Sequence, residues 1–393
     1  MKKSSKNFPG NNGQKPLTTP AALIFGVAFV WFSTHFGGGF ASGAQLYTYF
    51  IRYGIWSLIM PVVAMAYNAF FFYYCFRYAR KHEVYDYRSY NDSFYGRFAP
   101  IFSNLFEFLY IVVMCIAPAV AFATGGATLN TVTGIPYYLC TLIIGVFIFI
   151  VAIFGTDLVR RVSTVLSIVI IAGLLAVCIP NIVVNADGIR ASIKAMTAAG
   201  GSASFGRALY SAFLYGTFQL CNVAVFVQHG KTFAKPEDAK KSAILGWIIN
   251  SVLMLLVVLG ILTVYTDPKM ASQSVPALFM VQKGVGTAFF TPIISILIIL
   301  GAVTTAVNMV AAMVKRIGTA IETPEEKAKT DAGKPIVKTM IISLLCCVAD
   351  FGIAQFGLIT LISKAYSFIA YLAIPVILIP YIIHMIVTRF DTK

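Results

Sequence analysis

Apolar runs long enough to cross a bilayer recur along the whole chain, and they constrain it more than any other feature. A membrane-spanning helix needs about 20 mostly apolar residues. Ten runs reach that length, at approximately 21–53, 56–78, 101–125, 135–155, 159–183, 205–227, 242–266, 287–314, 336–356 and 358–387. Hydrophobic residues make up 59% of the 393 positions and charged residues 11%. Soluble domains carry roughly 25% charged residues, so no polar surface remains here to clothe a soluble core. The expected fold is all-α, with ten transmembrane helices and the bilayer as solvent. The breaks carry loop chemistry, as in Arg80-Lys81-His82-Glu83 and Asp267-Pro268, and Gly357 splits the last two runs into a hairpin.

The net charge of +15 would suit nucleic acid. That class is excluded because the basic residues sit in short loops between apolar runs and form no patch on a polar domain. With the N-terminus inside, the inner segments hold 23 of the 30 Lys and Arg residues. The outer side holds Arg52, Arg190, Lys194, Arg207, Lys269 and Lys283, and Lys364 lies within a span. The positive-inside rule then places both termini in the cytoplasm and the chain in the cytoplasmic membrane. Residues 1–19 read as a polar cytoplasmic tail without the marks of a secretory signal. Residues 20–387 read as one transmembrane domain and 388–393 as a second cytoplasmic tail. The seven cysteines all lie in apolar runs without zinc-type spacing and read as buried thiols. No cofactor is expected beyond a coupling Na⁺, and the oligomeric state is left open.

The first run is too long. As one helix its 33 residues would reach about 50 Å, against a hydrocarbon core of about 30 Å. Its middle reads His35-Phe36-Gly37-Gly38-Gly39-Phe40-Ala41-Ser42-Gly43. Each glycine costs a helix about 1 kcal/mol relative to Ala. Unwound backbone at membrane depth is tolerated only where protein or a cavity surrounds it. The other reading of the glycines, close helix packing, spaces small residues along one face rather than consecutively. Ten spans divide into five plus five, and an odd number per half makes the second half enter from the opposite side. That is the arithmetic of an inverted repeat, with halves at about 20–184 and 204–387. It predicts a partner break in span six, at Tyr215-Gly216-Thr217-Phe218-Gln219.

These residues resemble a known group. The five-plus-five plan with discontinuous helices 1 and 6 resembles the LeuT fold of the amino acid–polyamine–organocation (APC) superfamily. Gly37 through Gly43 is similar to the Gly-x-Gly-Phe-Ala-Ser-Gly signature of the YkvI-like membrane proteins, which are similar to bacterial branched-chain amino acid carriers. Tyr215–Gln219 resembles their sixth-span motif. Members carry an acid shortly after the glycines. Here Ala44-Gln45 stand there, so a role resting on that acid does not transfer.

In such an arrangement the amides and positive dipole end near Phe40–Gly43 suit a carboxylate, with Ser42 as an extra donor. Carbonyls near Leu214–Tyr215 suit an ammonium, and Tyr215 and Phe218 line an apolar pocket or serve as packing. The resemblance further implies a Na⁺ site at Thr304 and Thr305, completed by carbonyls of Gly38, Ala41 and Gly301. The alternative for both threonines is a bond back to their own helix. His35 reads as a substrate contact, a proton carrier or a packing histidine. Arg52, Glu107 and Lys364 are gate candidates, with structural pairing for Glu107 and snorkelling for Lys364 as the alternatives. Asp350 is expected at the membrane interface. The run Ser274–Val281 reads as an outer lid or a surface helix.

The function expected is secondary active transport of an amino acid or related small amine, coupled to Na⁺ or H⁺. The alternatives are an uncoupled facilitator or channel and a non-transporting sensor or assembly partner. An enzyme is not expected, because His35, Glu107 and Asp350 are scattered over three spans. The partners expected are a small-molecule substrate and lipid, not nucleic acid.

Overall fold

A computed structural model describes residues 20–154, 156–331 and 336–392. The tail expected at 1–19 lies outside the described residues. Among those residues every regular element is helical.

The first run is broken as its length requires. Helix α1 (Pro20–His35) stops before Phe36-Gly37, a single turn α2 (Gly38–Ala41) follows, and α3 (Ala44–Tyr49) begins after Ser42-Gly43. Gly38 and Gly39 are therefore helical, and the chain unwinds on either side of them. Gly37 is extended (φ −79°, ψ 178°), while Gly43 is left-handed (φ 76°), a conformation glycine adopts without steric cost.

A 3₁₀ segment, Ile51–Leu58, then meets α4 (Met60–His82) at 75°. Pro61 opens α4, and Arg80, Lys81 and His82 close it against the negative end of its dipole. The short α5 (Tyr87–Tyr95) is capped by Asp86, which accepts from the Ser89 amide at 2.9 Å. Next come α6 (Ala99–Thr133), ended by left-handed Gly134, α7 (Tyr137–Phe154), α8 (Thr156–Val184) and α9 (Ala186–Thr197). The second half holds α10 (Phe205–Gln219), α11 (Val223–Phe226), α12 (Asp238–Leu262), α13 (Pro276–Lys283) and α14 (Thr287–Ile321). It closes with α15 (Pro324–Asp331), α16 (Val337–Ala354) and a last span, Leu358–Val387. Gly357 (φ 83°) makes the turn between α16 and that span.

Among the described residues eight helices are long and apolar enough to cross a membrane. A ninth passes if Ile51–Leu58 and α4 count as one span, and Ala22–His35 is apolar but shorter. The core forms where α6 packs on α14, α4 on α12, and α1 on α12. The broken turn α2 lies inside this core, against α14 and α6.

Two expectations need correction. Span six does not unwind at Gly216: α10 runs helically through it to Gln219, and only then tightens into a 3₁₀ turn, Leu220–Asn222. The reason is packing. A Cβ on Gly216 would come within 2.6 Å of the Tyr67 ring, so this glycine admits a close neighbour from α4. Asp350, expected at an interface, is buried (4% exposed) one turn from the end of α16.

The chain's end is not a loose tail. Residues Arg389, Phe390 and Asp391 all take positive φ and fold back onto α4. Buried Asp391 meets Lys81 at 3.3 Å and His82 at 3.1 Å, and Phe390 lies among the rings of Phe70, Tyr73 and Tyr74. Asp391→Ala removes the carboxylate from both, leaving Lys81 the residue's backbone carbonyl at 2.5 Å and His82 without its acceptor, and should lower stability by about 1–3 kcal/mol. The thermal midpoint of the purified protein checks this, with Lys81→Ala expected to cost less because its ammonium stays half exposed.

Candidate functional site

The break in the first run is buried at Phe36 and from Gly38 to Gly43, with Gly37 half-buried. Phe36 and Phe40 are buried, with ring centroids 4.7 Å apart. A Cβ on Gly38 would stand 2.9 Å from Ala302 Cβ and 3.2 Å from Thr124 Cβ, so this glycine lets α2 press on α14 and α6. One on Gly37 would meet Thr305 Oγ1 at 3.4 Å. On the other side the Ala277 amide, at the start of α13, donates to the Ser42 carbonyl at 2.9 Å. Residues Pro276 to Val281 are all buried, so α13, the element expected as a lid or a surface helix, is packed into the bundle and does not lie on its surface. Asp267 holds the far end of α13 through Lys283 at 3.2 Å. The Lys269 amide and Lys283 keep the Asp267 carboxyl below its ordinary range.

Beside the break lies a buried polar chain. Asn250 of α12 donates to the Gly246 carbonyl at 2.8 Å, which leaves its Oδ1 as an acceptor. His35 Nδ1 lies 2.7 Å from that oxygen, so it carries the ring proton. Its Nε2 lone pair then faces the Tyr215 hydroxyl at 2.5 Å. Tyr215 Oη is also 3.3 Å from Gln45 Oε1. One phenolic proton thus has two acceptors, one on each side of the broken helix.

Other expected residues sit as follows. The Ser42 hydroxyl donates to the Gly39 carbonyl at 3.0 Å, so its proton is engaged within the break. The Gly38 carbonyl accepts the Ser42 amide, and the Gly301 carbonyl accepts both threonine hydroxyls, at 3.1 Å from Thr304 and 2.9 Å from Thr305. A hydroxyl that donates keeps its lone pairs, so Thr305 can still face a cation next to Gly37. Ala41 is buried in α2. Phe218 stacks on Tyr366 of the last span, with centroids 4.7 Å apart. Gly216 and Thr217 face α4 instead, where the Gly216 carbonyl accepts from Asn68 at 2.7 Å and Thr217 meets the Tyr67 hydroxyl at 3.1 Å. The carbonyls of Leu214 and Tyr215, expected to receive an ammonium, lie within the continuous helix that runs on to Gln219. Gln219 accepts from Asn222 at 2.7 Å.

Two cavities lie at opposite ends of the bundle. One, about 410 Å³, is lined by Arg52, Lys364 and a set of tyrosines and serines. The other, about 610 Å³, is lined by Glu107, Tyr87, Arg316 and Gln228 among others. There Arg316 pairs with Glu107 and donates to the Tyr87 hydroxyl, which donates to Glu107 at 2.7 Å. The rings of Tyr49, Phe50, Tyr215, Phe218 and Tyr366 pack on one another, and Tyr49 also lines the cavity at Arg52.

The sequence reading missed Asn250 and Tyr366 and gave Gln45 no role of its own. Asn250 had a signal: it is an amide in the middle of an apolar run. Tyr366 had none among 20 tyrosines.

This fold and site define a multi-pass membrane transporter. The chain belongs to the amino acid permease family, whose model matches residues 17–390. A crystal structure of the Eremococcus coleocola manganese transporter, in complex with an aromatic bis-isothiourea substituted compound, shares its fold. The two superpose with a TM-score of 0.53 at 12% identity, over 94% of this chain and 80% of the other. No curated protein matches the sequence.

Asn250→Leu removes the acceptor of His35 Nδ1–H in a dry site and should cost about 1–3 kcal/mol of stability. Adding His35→Leu should recover part of that loss. A double-mutant cycle of thermal midpoints measures the coupling.

Proposed function

We propose that the chain is a secondary transporter that moves an amino acid or related small amine by alternating access, coupled to Na⁺ or H⁺. The observation that carries this reading is the broken first helix, buried from Gly38 to Gly43 inside a bundle that has one cavity at Arg52 and Lys364 and another at Glu107 and Arg316. A carrier needs one site that each face reaches in turn. A channel would instead pass substrate without exchanging it, which the counterflow measurement below separates from a carrier.

The finer assignments follow from this reading. The short Ala22–His35 helix and the bent Ile51–His82 pair, counted with the eight long helices, make ten spans in a five-plus-five inverted repeat of the LeuT type. The chain is a YkvI-like member of its family, in the cytoplasmic membrane with both termini inside. The substrate carboxylate lies at the break, near Gly38 to Gly43, and its side chain lies against Phe218. The buried His35–Tyr215 pair supports a proton as coupling ion, while Thr305 beside Gly37 supports Na⁺. Glu107, Tyr87 and Arg316 form the inner closure. Manganese is not carried over as cargo, because among the described residues no group of three or more His, Cys, Asp or Glu could hold a metal ion.

Thermal midpoints of the purified protein against a panel of amino acids and amines, with Na⁺ or choline, test the substrate class. A ligand that binds only the folded state raises the midpoint by mass action. Counterflow of the ligand so found tests the mechanism. Proteoliposomes should exchange labelled for unlabelled substrate, and a pore would not. Uptake that is equal in Na⁺ and choline and independent of the pH gradient would remove the coupling claim. Gly38→Val should abolish uptake, since its side chain must force α2 from Ala302, whereas Gly26→Val, with open space around it, should be silent.

A further inference from the structure

Arg52 and Lys364 line the same cavity of about 410 Å³, and no residue lining it is acidic. Both residues are exposed, so the two cations that line this cavity repel through a screened field that weakens as salt rises. Arginine does not shed its proton in proteins, so the repulsion at Arg52 is permanent. Its guanidinium is held by its neighbour: Nη2 donates to the Tyr53 hydroxyl at 3.0 Å, and Cζ stands 5.2 Å from that ring's centroid. Tyr53 keeps its own proton to offer into the cavity. Among the described residues Lys364 has no hydrogen-bond or ion-pair partner.

Lys364 is not simply a lysine reaching for the membrane surface. It projects from a π-helical turn, Leu361–Ala365, inside the last span. Such turns insert a residue into a helix and gather at functional sites. This one is tied to the first span, because the Tyr49 hydroxyl donates to the Ile362 carbonyl at 2.9 Å. The end of α3 and the lysine's turn are thus joined by one neutral bond, while the charges beside it push them apart.

We infer that this cavity is an anion site, in which a monovalent anion or a carboxylate sits between the Arg52 guanidinium and the Lys364 ammonium. Its occupancy converts repulsion into a bridge and draws α3 and the last span together as the outer closure. The closure half of this inference rests on the transport reading above; the binding half does not. An arginine fork and an ammonium suit a carboxylate well and also accept a halide. The source is either dissolved chloride or the carboxylate of an arriving amino acid.

The test uses the purified full-length protein at constant ionic strength, with sodium chloride, acetate or aspartate replacing the bulky sulfonate of a HEPES salt. The thermal midpoint should rise saturably with the bound anion. The half-saturating concentration should rise by roughly tenfold in Arg52→Gln and in Lys364→Gln, each of which removes one charged arm. Lys364→Glu pairs directly with Arg52, so it should lose the anion response and start from a higher midpoint than Lys364→Gln. A response to chloride identifies the inorganic source. A response to acetate or aspartate without one to chloride identifies the amino acid carboxylate, and either supports the site. Equal midpoints in all salts, or a response unchanged in both glutamine variants, would overturn it. Counterflow measured in parallel tests transport alone: its absence would sink the transport reading and leave the anion response standing.

Discussion

The structure depends on keeping an unwound piece of backbone away from lipid. Hydrocarbon offers no partner to a free N–H or C=O, so a broken helix survives at membrane depth only inside protein. Every element around Phe36–Gly43 serves that end. Ala302 and Thr124 press on one side of the break, and the Ala277 amide takes the Ser42 carbonyl on the other. The Ser42 hydroxyl both donates to Gly39 and accepts from the Ala44 amide at 3.3 Å. Three consecutive glycines are unfavourable for a lone helix, but here the missing side chains are what let α14 and α6 approach.

The polar chain Asn250–His35–Tyr215–Gln45 follows from the same constraint. Each member is buried, and each needs a partner. The chain ties α12, α1, α10 and α3 into one hydrogen-bonded unit across the break. The two halves of the first span are therefore linked through Tyr215 rather than through continuous helix. The Tyr215 hydroxyl thus has an acceptor on each half, His35 on α1 and Gln45 on α3.

Much of this was legible in the sequence, and the limits have physical causes. Run length revealed the spans, because bilayer thickness sets it. The excess length and the glycines revealed the break in the first span, and Gly357 revealed the hairpin before the last one. Gly216 misled, because a glycine in an apolar helix serves unwinding and close packing equally well. The choice was made by Tyr67 and Asn68, the latter 148 residues earlier in the chain. Asn250 escaped notice, and Gln45 was given no role of its own, for the same reason: their meaning lies in a partner that no local periodicity reveals. The glycine signature drew attention to what stood in place of its usual acid, and Gln45 proved to be a neutral acceptor at that point.

The bond from Ala277 to Ser42 has a consequence of its own. It is a single backbone amide shared between α13 and the unwound segment, so neither can rearrange without breaking it. That makes the Ala277 proton a built-in reporter. Its exchange with deuterated solvent reports how large a fraction of the time α13 and the break are apart when reclosing is fast, and the rate of their parting when reclosing is slow. The opening of the molecule is thereby written into one atom, readable without any labelled substrate.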